Sequence, residues 1–455
     1  MPRLRALVSF SALAARVLPA SLLVIGLSGC STANEPPPVS TTSVDPATKA
    51  AAPKPEPAPV SVADPSAEAV VIPDPLGAAI NGFGLDLWGQ LRERPGNLTI
   101  SPASVHVALT MTWLGAKGAT RDQLGSALHL DELPATADVA ASTGALLDSW
   151  TGVPALTLLA ANRLFGEQTF SFEAAYMSAL ASKLRAPLEL VDFVGAVEPT
   201  RAHINAWVKD QTQARIVDLI PPGGVDAQTR LVLTNAIYFL ADWRQPFEAK
   251  QTTSASFHAV GANTKVKMMH ATHYYTYEES EEVQVVTLRY SAPGFAMTLV
   301  LPREGKQLAE VEAGLELATV QRWLSGETGA ERQVQLSLPR FELSPADSLE
   351  LAKPLRALGA VAAFDRASAD FTDIAAPTDP QERIFISQVF HKTFVKVDEM
   401  GTEAAAATAV ATGYGRGTAP PPMVMTFDRP FLFFIHDQTS GAALFMGRVA
   451  DPGRS

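Results

Sequence analysis

The stretch VDEMGTEAAAATAVATGYGRGTAPPPM, Val397 to Met423, decides how the rest of the chain is read. Ten of the twelve residues from Gly401 to Thr412 are Gly, Ala or Thr; only Glu403 and Val410 stand apart. Taken alone, EAAAATA is a helix former, because Ala has the highest helix propensity, or else a flexible linker. Its surroundings argue otherwise. It continues TFVKVDE, Thr393 to Glu399, which alternates as a strand, and it ends before Pro420-Pro421-Pro422 and another strand-like run. A long connection between strands inside a compact domain is uncommon and usually functional. Small side chains suit a segment that must slide between two existing strands. Thr402, Ala404, Ala406, Thr408 and Val410 would share one face without a bulky group, and Glu403 would stay wet on the other. Gly401 would supply the swivel. The run reads as a strand held out of its sheet.

The 455 residues, 47% hydrophobic and 18% charged, suffice for a large core and for one to three domains. A net charge of −11 without clustered Lys and Arg argues against a nucleic-acid partner. One cysteine excludes an intramolecular disulfide framework and any multi-cysteine metal site. The N-terminus has the marks of a targeting segment. Arg3 and Arg5 precede an apolar stretch, Leu18 to Leu27, too short for a comfortable membrane span. Its ending, Leu27-Ser28-Gly29-Cys30, is similar to a bacterial lipobox, in which the cysteine is acylated and becomes the first mature residue. The plainer alternative is an export signal with an incidental cysteine. Residues 1–29 are thus expected to be a lipoprotein signal peptide, with lipidation at Cys30. Their removal takes away three arginines and no acid, so the charge goes from −11 to −14. Residues 30–75 hold EPPPVS and APKPEPAPV and no periodic apolar face; they are expected to be a disordered, Pro/Ala-rich tether.

From Leu76 the pattern changes. Ile80, Phe83, Leu87, Trp88 and Leu91 fall at helical spacing. NLTI predicts a short strand, and Ser101-Pro102 opens a helix over PASVHVALTMTWLGA. Thr120 to Gln123 has a capping-box signature for another helix. LTLLAANRLF and RLVLTNAIYFLADW are strand-like; FEAAYMSALASKLR and RAHINAWVKDQTQAR are helical. VQVVTLRY and FAMTLVLP flank SAPG as a hairpin. LAEVEAGLELATVQRWLSG predicts one helix, RQVQLSLPRFEL one strand, and SLELAKPLRALG a helix interrupted by Pro354. MTFDRPFLFFIHD and GAALFMGRV end the chain as strands. No linker divides residues 76–455, which predicts one large mixed domain.

The familiar catalytic constellations are missing: Gly-x-Ser-x-Gly, Ser-x-x-Lys, His-Glu-x-x-His and the Walker loop. His270 and His273 stand three apart in a strand-like stretch with no acidic neighbour at ligand spacing, so neither an enzyme nor a metal or cofactor is expected.

At this point the residues become familiar. VDEMGTEAAAATA resembles the hinge of a serpin's reactive-centre loop. NLTISPASVHVALTMTWLGAKGATRDQL, LVLTNAIYFLADWRQPFEAKQTTSASF, VKMMH and FDRPFLFFIHDQTSGAALFMGRVADP resemble other serpin segments in order and spacing, over roughly residues 76–452. The resemblance implies an α+β fold of three β-sheets with about nine helices, a serpin domain over 76–455, and an exposed reactive-centre loop at about 401–423. It implies a suicide inhibitor of serine proteases. The protease cuts the loop and is held as an acyl-enzyme while the loop inserts into the central sheet.

The resemblance also assigns residues. The loop hinge is Glu399, Gly401, Thr402, Glu403, Ala404, Ala405, Ala406, Ala407 and Thr408. The reactive bond is placed at Arg416–Gly417, which suits trypsin-like proteases. Tyr414–Gly415 is the alternative, and counting as the family does from Gly401 gives Gly415–Arg416. Ser101, Ser104, Asn235 and His391 match the family's polar cluster under the central sheet, although a satisfied core histidine is an equal account of His391. Trp243 matches a family tryptophan near where insertion begins. LDELPATADVAASTGALLDSW is acidic, so no glycosaminoglycan is expected. The expected partners are a target serine protease, trypsin-like by preference, and a membrane reached through the lipid anchor, with the chain itself monomeric. The expected location is a bacterial cell envelope, periplasmic or surface-exposed. The rivals are a non-inhibitory serpin acting as a surface binding protein and a cross-class inhibitor of cysteine proteases.

Overall fold

The computed structural model describes residues 75–135, 137–325, 329–376, 379, 383–402 and 421–454. The expected signal peptide, Cys30 and all of the expected tether but Pro75 lie outside the described residues, as do Glu403, Ala404, Ala405, Ala406, Ala407, Thr408, Tyr414, Gly415, Arg416 and Gly417.

In chain order the elements are α1 (Pro75–Leu91), β1 (Leu98–Ile100), α2 (Pro102–Leu114), α3 (Gly118–Ala127), α4 (Val139–Ser149), β2 (Leu156–Glu167), α5 (Ala174–Lys183), β3 (Glu189–Val191), α6 (Val197–Gln211) and β4 (Leu231–Asp242). Then come β5 (Thr253–Ala259), β6 (Ala262–Glu279), β7 (Val283–Arg289), β8 (Phe295–Pro302), α7 (Leu308–Ala313), α8 (Leu317–Ser325), β9 (Ala330–Pro339), β10 (Phe341–Leu343), β11 (Leu349–Glu350) and α9 (Ala352–Ala357). β12 (Val389–Val397), β13 (Gly401–Thr402), β14 (Met423–Thr426), β15 (Phe431–Asp437) and β16 (Ala443–Val449) close the chain. Nine α-helices lie among the described residues. The strands form two hydrogen-bonded networks. One has nine strands, in the order β1-β16-β15-β8-β7-β6-β9-β14 with β5 on β6; the other has seven, in the order β10-β12-β13-β4-β2-β3 with β11 on β12. The long strand β6 pairs with β5 and β9 over most of its length and with β7 only at Thr276–Glu279. That four-residue junction joins two parts of the larger network, β5, β9 and β14 on one side and β7, β8, β15, β16 and β1 on the other.

The seven-stranded sheet is covered on both faces. Phe165, Tyr238, Phe390 and Phe394 pack under Ile204 and Val208 of α6 and Ile216, Leu219 and Ile220 beyond it. On the opposite face Leu164, Leu233 and Val389 pack with Val105 and Leu109 of α2. With both faces covered, LVLTNAIYF and VFHKTFV are buried at every position, the polar residues of both included. α2 itself is buried at eleven of its thirteen positions. Ser101 caps it, its Oγ accepting from Ser104 N at 3.2 Å, and Pro102 occupies the first turn, where an amide donor is dispensable.

Several local expectations differ from the structure. Lys117, not Thr120, stands at the start of α3, one turn earlier than the capping box implied. Thr120 Oγ1 instead accepts from Asp370 N at 2.9 Å, and Gln123 Oε1 from Ala362 N at 2.7 Å. The single helix expected after Leu308 is two, broken at Gly314, whose N–H closes α7 on Glu310 O. RQVQLSLPRFEL is one run in sequence but two strands: Pro339, with no amide donor, ends β9 in one sheet, and β10 continues in the other. SLELAKPLRALG begins as β11. Pro354 sits in the first turn of α9 rather than interrupting a helix. Pro75, the last residue assigned to the tether, already belongs to α1.

Candidate functional site: a strand end wedged into the central sheet

β4 and β12 lie side by side and parallel, paired from Leu233↔Val389 to Tyr238↔Phe394. Parallel pairing is slightly less stable per residue than antiparallel. Beyond Val397 the chain reverses within four residues: Asp398 N donates to Gly401 O at 3.0 Å, and Met400 N to Asp398 Oδ1 at 3.0 Å. Gly401 and Thr402 then return as β13 between the two strands. Thr402 pairs with Val397 on one side and Ala241 on the other, and Gly401 with Asp242. The central sheet is therefore shut along six rungs and already parted at its top. Gly401 is not in a left-handed conformation, so the swivel read from the sequence is not its role. A Cβ there would collide with the Ala241 carbonyl oxygen and lie 2.7 Å from Asp242 Cα. The glycine serves close backbone approach, the condition for a third strand to enter.

The walls of this wedge are aromatic. Thr402 is fully buried, its Oγ1 2.7 Å from Tyr290 Oη. Tyr290 stacks on Trp243 with ring centres 4.6 Å apart and planes 9° from parallel. Trp243 holds the turn twice, Nε1 donating to Asp398 O at 3.0 Å and its backbone N to Met400 O at 2.7 Å. Glu399 is 4% exposed and accepts from Arg340 Nε at 2.8 Å, Arg340 Nη2 at 2.5 Å and Thr252 Oγ1. Burial alone would raise its carboxyl, but these hydrogen bonds outweigh burial and hold it below the usual range.

Lower down, a buried polar clasp joins β12, β4, β2 and the cap of α2, and its direction can be derived. The Ser101 amide can only donate, and it reaches His391 Nε2 at 3.0 Å. That nitrogen is bare, so Nδ1 carries the proton and donates to Asn235 Oδ1 at 2.5 Å. Asn235 must then donate through Nδ2, to Ser104 Oγ at 2.8 Å and to Asn162 Oδ1 at 3.0 Å. Ser104 Oγ passes its own proton to Asn162 Oδ1 at 3.1 Å. Burial pushes the His391 imidazole down to about 4, so near neutrality it stays uncharged, as this network requires. Asn162 was missed from the sequence because it lies more than fifty residues from any other member. Only the β2–β4 register, with Asn162↔Asn235 a direct pair, brings it in.

His270 Nε2 lies 2.8 Å from Thr253 Oγ1 and its Nδ1 2.9 Å from Ser337 Oγ, while an odd separation along β6 puts His273 on the other face of the strand. Among the described residues no group of His, Cys, Asp and Glu has metal-binding geometry, and no helix is long and apolar enough to cross a membrane.

Comparison with known proteins agrees with the fold. Residues 78–452 match the family model described as Serpin (serine protease inhibitor). The human leukocyte elastase inhibitor is 37% identical over 391 residues, covering 83% of this chain and 99% of that protein. Uncleaved ovalbumin superposes with a TM-score of 0.74 at 27% identity, over 83% of this chain and 100% of ovalbumin. Human thyroxine-binding globulin, solved in complex with thyroxine, gives a TM-score of 0.73 at 26% identity over 83% and 99% of the two chains.

Proposed function

The chain belongs to the serpin family, and from that premise we propose that it is a suicide inhibitor of serine proteases that traps its target by inserting its own cut loop. The observation that carries the reading is β13. Hinge residues Gly401 and Thr402 already pair with β4, and Thr402 also pairs with β12, in a register that suits both neighbours at once. Extending that register would put Thr408 opposite Asn235 on one side and His391 on the other, because those two residues are themselves a direct pair. Thr402, Ala404, Ala406, Thr408 and Val410 would then face α2, with no side chain larger than valine to pass between the strands.

The chemistry needs no group from this chain beyond the bond it offers. The protease serine attacks the carbonyl of Arg416; an ester forms, the peptide bond to Gly417 breaks, and the departing amine takes a proton. The fourteen residues from Glu403 to Arg416, at about 3.3 Å each, span roughly 46 Å, so full insertion carries the acylated end to the far side of the sheet. Insertion exchanges six parallel rungs for two antiparallel ladders. Arg416 suits the acidic specificity pocket of a trypsin-like enzyme; Tyr414–Gly415 is the bond a chymotrypsin-like enzyme would take. Lipidation at Cys30, a tether over 30–74 and residence in a bacterial envelope complete the proposal. Cys30→Ser should release the protein from membranes in a fractionation experiment.

The test is to mix the full chain with trypsin and look for an SDS-stable complex of summed mass, then to locate the cut by mass spectrometry. Cleavage without complex would sink the inhibitory reading. It would favour a surface binding protein; thyroxine-binding globulin, solved in complex with thyroxine, is a precedent for ligand binding in this fold. The same mixture with papain reads out the cysteine-protease alternative.

A further inference from the structure

Away from the hinge and the clasp, one cluster of titratable groups has a geometry that fixes its charge. His129 stands in the corner between α3 and α4, one residue ahead of the short 3-10 turn Leu130–Glu132. Its two ring nitrogens face two different carboxylates. Nε2 lies 2.8 Å from Asp86 Oδ2 on α1, and Nδ1 lies 2.8 Å from Glu132 Oε1 in the turn. An ionised carboxylate only accepts, so both nitrogens carry protons and the ring is the imidazolium. The backbone serves this placement. His129 has a φ of 56°, in the left-handed region that a non-glycine residue seldom occupies. Its ring lies against Gly82 of α1, where a Cβ would come 3.0 Å from ring atoms, so the missing side chain makes the room.

We propose that His129 is a pH-operated latch, which fastens the α3–α4 corner to α1 while its ring is charged and lets the corner loosen once the ring is neutral. A neutral ring has one N–H for two carboxylates, so one of the two contacts then sets a bare nitrogen against a carboxylate oxygen. The charged and titratable groups around the ring are Asp86 from α1, Glu132 and Asp131 from the turn, and His106 from α2. Asp131 is taken up by Ser126, whose Oγ donates to Oδ2 at 2.9 Å. His106 holds the same corner from inside, its Nε2 donating to Leu128 O at 3.0 Å. Burial, with the charge on His129 in addition, pushes His106 down to about 4, so it stays neutral where His129 titrates. Burial alone would lower His129 too, but the hydrogen bonds to Asp86 and Glu132 outweigh it and raise the ring above its ordinary 6.5. The sign is therefore opposite to that of His391. As pH rises the unfolded chain gives up its proton first. The latch contributes fully below about pH 6.5 and is lost as pH climbs through the higher folded value. Leu128 and Leu130 remain packed in the core, so what loosens is local. The turn itself has little to hold it, with Glu132 N 3.4 Å from His129 O and Leu133 N 3.3 Å from Leu130 O.

The test uses the full chain and no protease, so it stands or falls separately from the inhibitory reading. In histidine-labelled protein, the Cε1 resonance that His129→Gln removes should titrate with a midpoint above about 6.5. Asp86→Asn and Glu132→Gln should each bring that midpoint down. Hydrogen exchange in peptides covering residues 127–134 reads the loosening itself. Comparing wild type with His129→Gln at the same pH cancels the intrinsic pH dependence of exchange. Wild type should be severalfold better protected at pH 6, and its advantage should shrink toward pH 9. If Gln at position 129 prevents folding, Asp86→Asn takes its place in the exchange experiment, since the Asp86 side chain is 53% exposed and on the surface of α1. A midpoint at or below 6.5, a midpoint unmoved by both carboxylate variants, or an advantage that stays constant with pH would each overturn the latch.

Discussion

His391 can hold its clasp only as the neutral imidazole, since Nε2 must accept from Ser101 while Nδ1 donates to Asn235. Its folded pKa, about 4, lies below the ordinary value of 6.5, so the unfolded chain takes up the proton first as pH falls. The stabilisation is complete above about pH 6.5 and is lost progressively toward pH 4, by about 3 kcal/mol for this group. His106 and His436, buried and lowered to about 4 and about 3, add in the same direction. Denaturant unfolding at pH 7.5 and 4.5 should therefore show a marked loss, and His391→Gln should reduce the difference between the two pH values. An equal difference in wild type and variant would contradict the clasp. Glu399 offers the second test at this scale. Arg340→Ala leaves a buried carboxylate short of its main partner and should lower stability by about 1–3 kcal/mol, toward the low end because Arg340 is itself 45% exposed. Chemical denaturation of the variant reads this directly. Ser101, Ser104 and Asn235 were legible because each sits in a segment that resembles the family's, and His391 because it lies on the strand that leads into the hinge. Asn162, Arg340, Thr252 and Tyr290 were not, because their significance comes from partners at long sequence separation.

At the scale of elements, the hinge turns on how closely β13 approaches β4. Gly401→Val puts a branched side chain against the Ala241 carbonyl and Asp242, expelling the first rung. The variant should fold, with unchanged far-UV circular dichroism. In the trypsin assay it should give mainly cleaved chain and little stable complex, the reverse of wild type. Retained complex would show that insertion does not start at this rung. The same element shows where local patterns mislead. Glycine in a turn suggests conformational freedom, yet its service here is absence of bulk. RQVQLSLPRFEL alternates without a break, yet its two halves belong to different sheets, because alternation records burial on one face and not which sheet supplies the neighbour. Thr120 and Gln123 look like a helix start but spend their hydrogen bonds on residues 362 and 370.

For the whole molecule, the proposed mechanism requires that the described fold is not the most stable arrangement of the chain. A ladder on both sides of an inserted strand contributes hydrogen bonds at about 1 kcal/mol each, of order 10 kcal/mol together. Limited cleavage in the loop should therefore raise Tm by tens of degrees in calorimetry. An unchanged Tm after a complete cut would mean the loop stays out. The sequence by itself determined many of the longer strands and helices, the small-residue run and the family, because hydrophobic period, turn residues and side-chain size are local properties. Only the tertiary structure decided that β4 and β12 touch, that Gly401 and Thr402 already part them, and that His391 reaches Ser101 across 290 residues. Those facts depend on register between distant strands, which is fixed by packing against α2 and α6 and is written in no single stretch of residues.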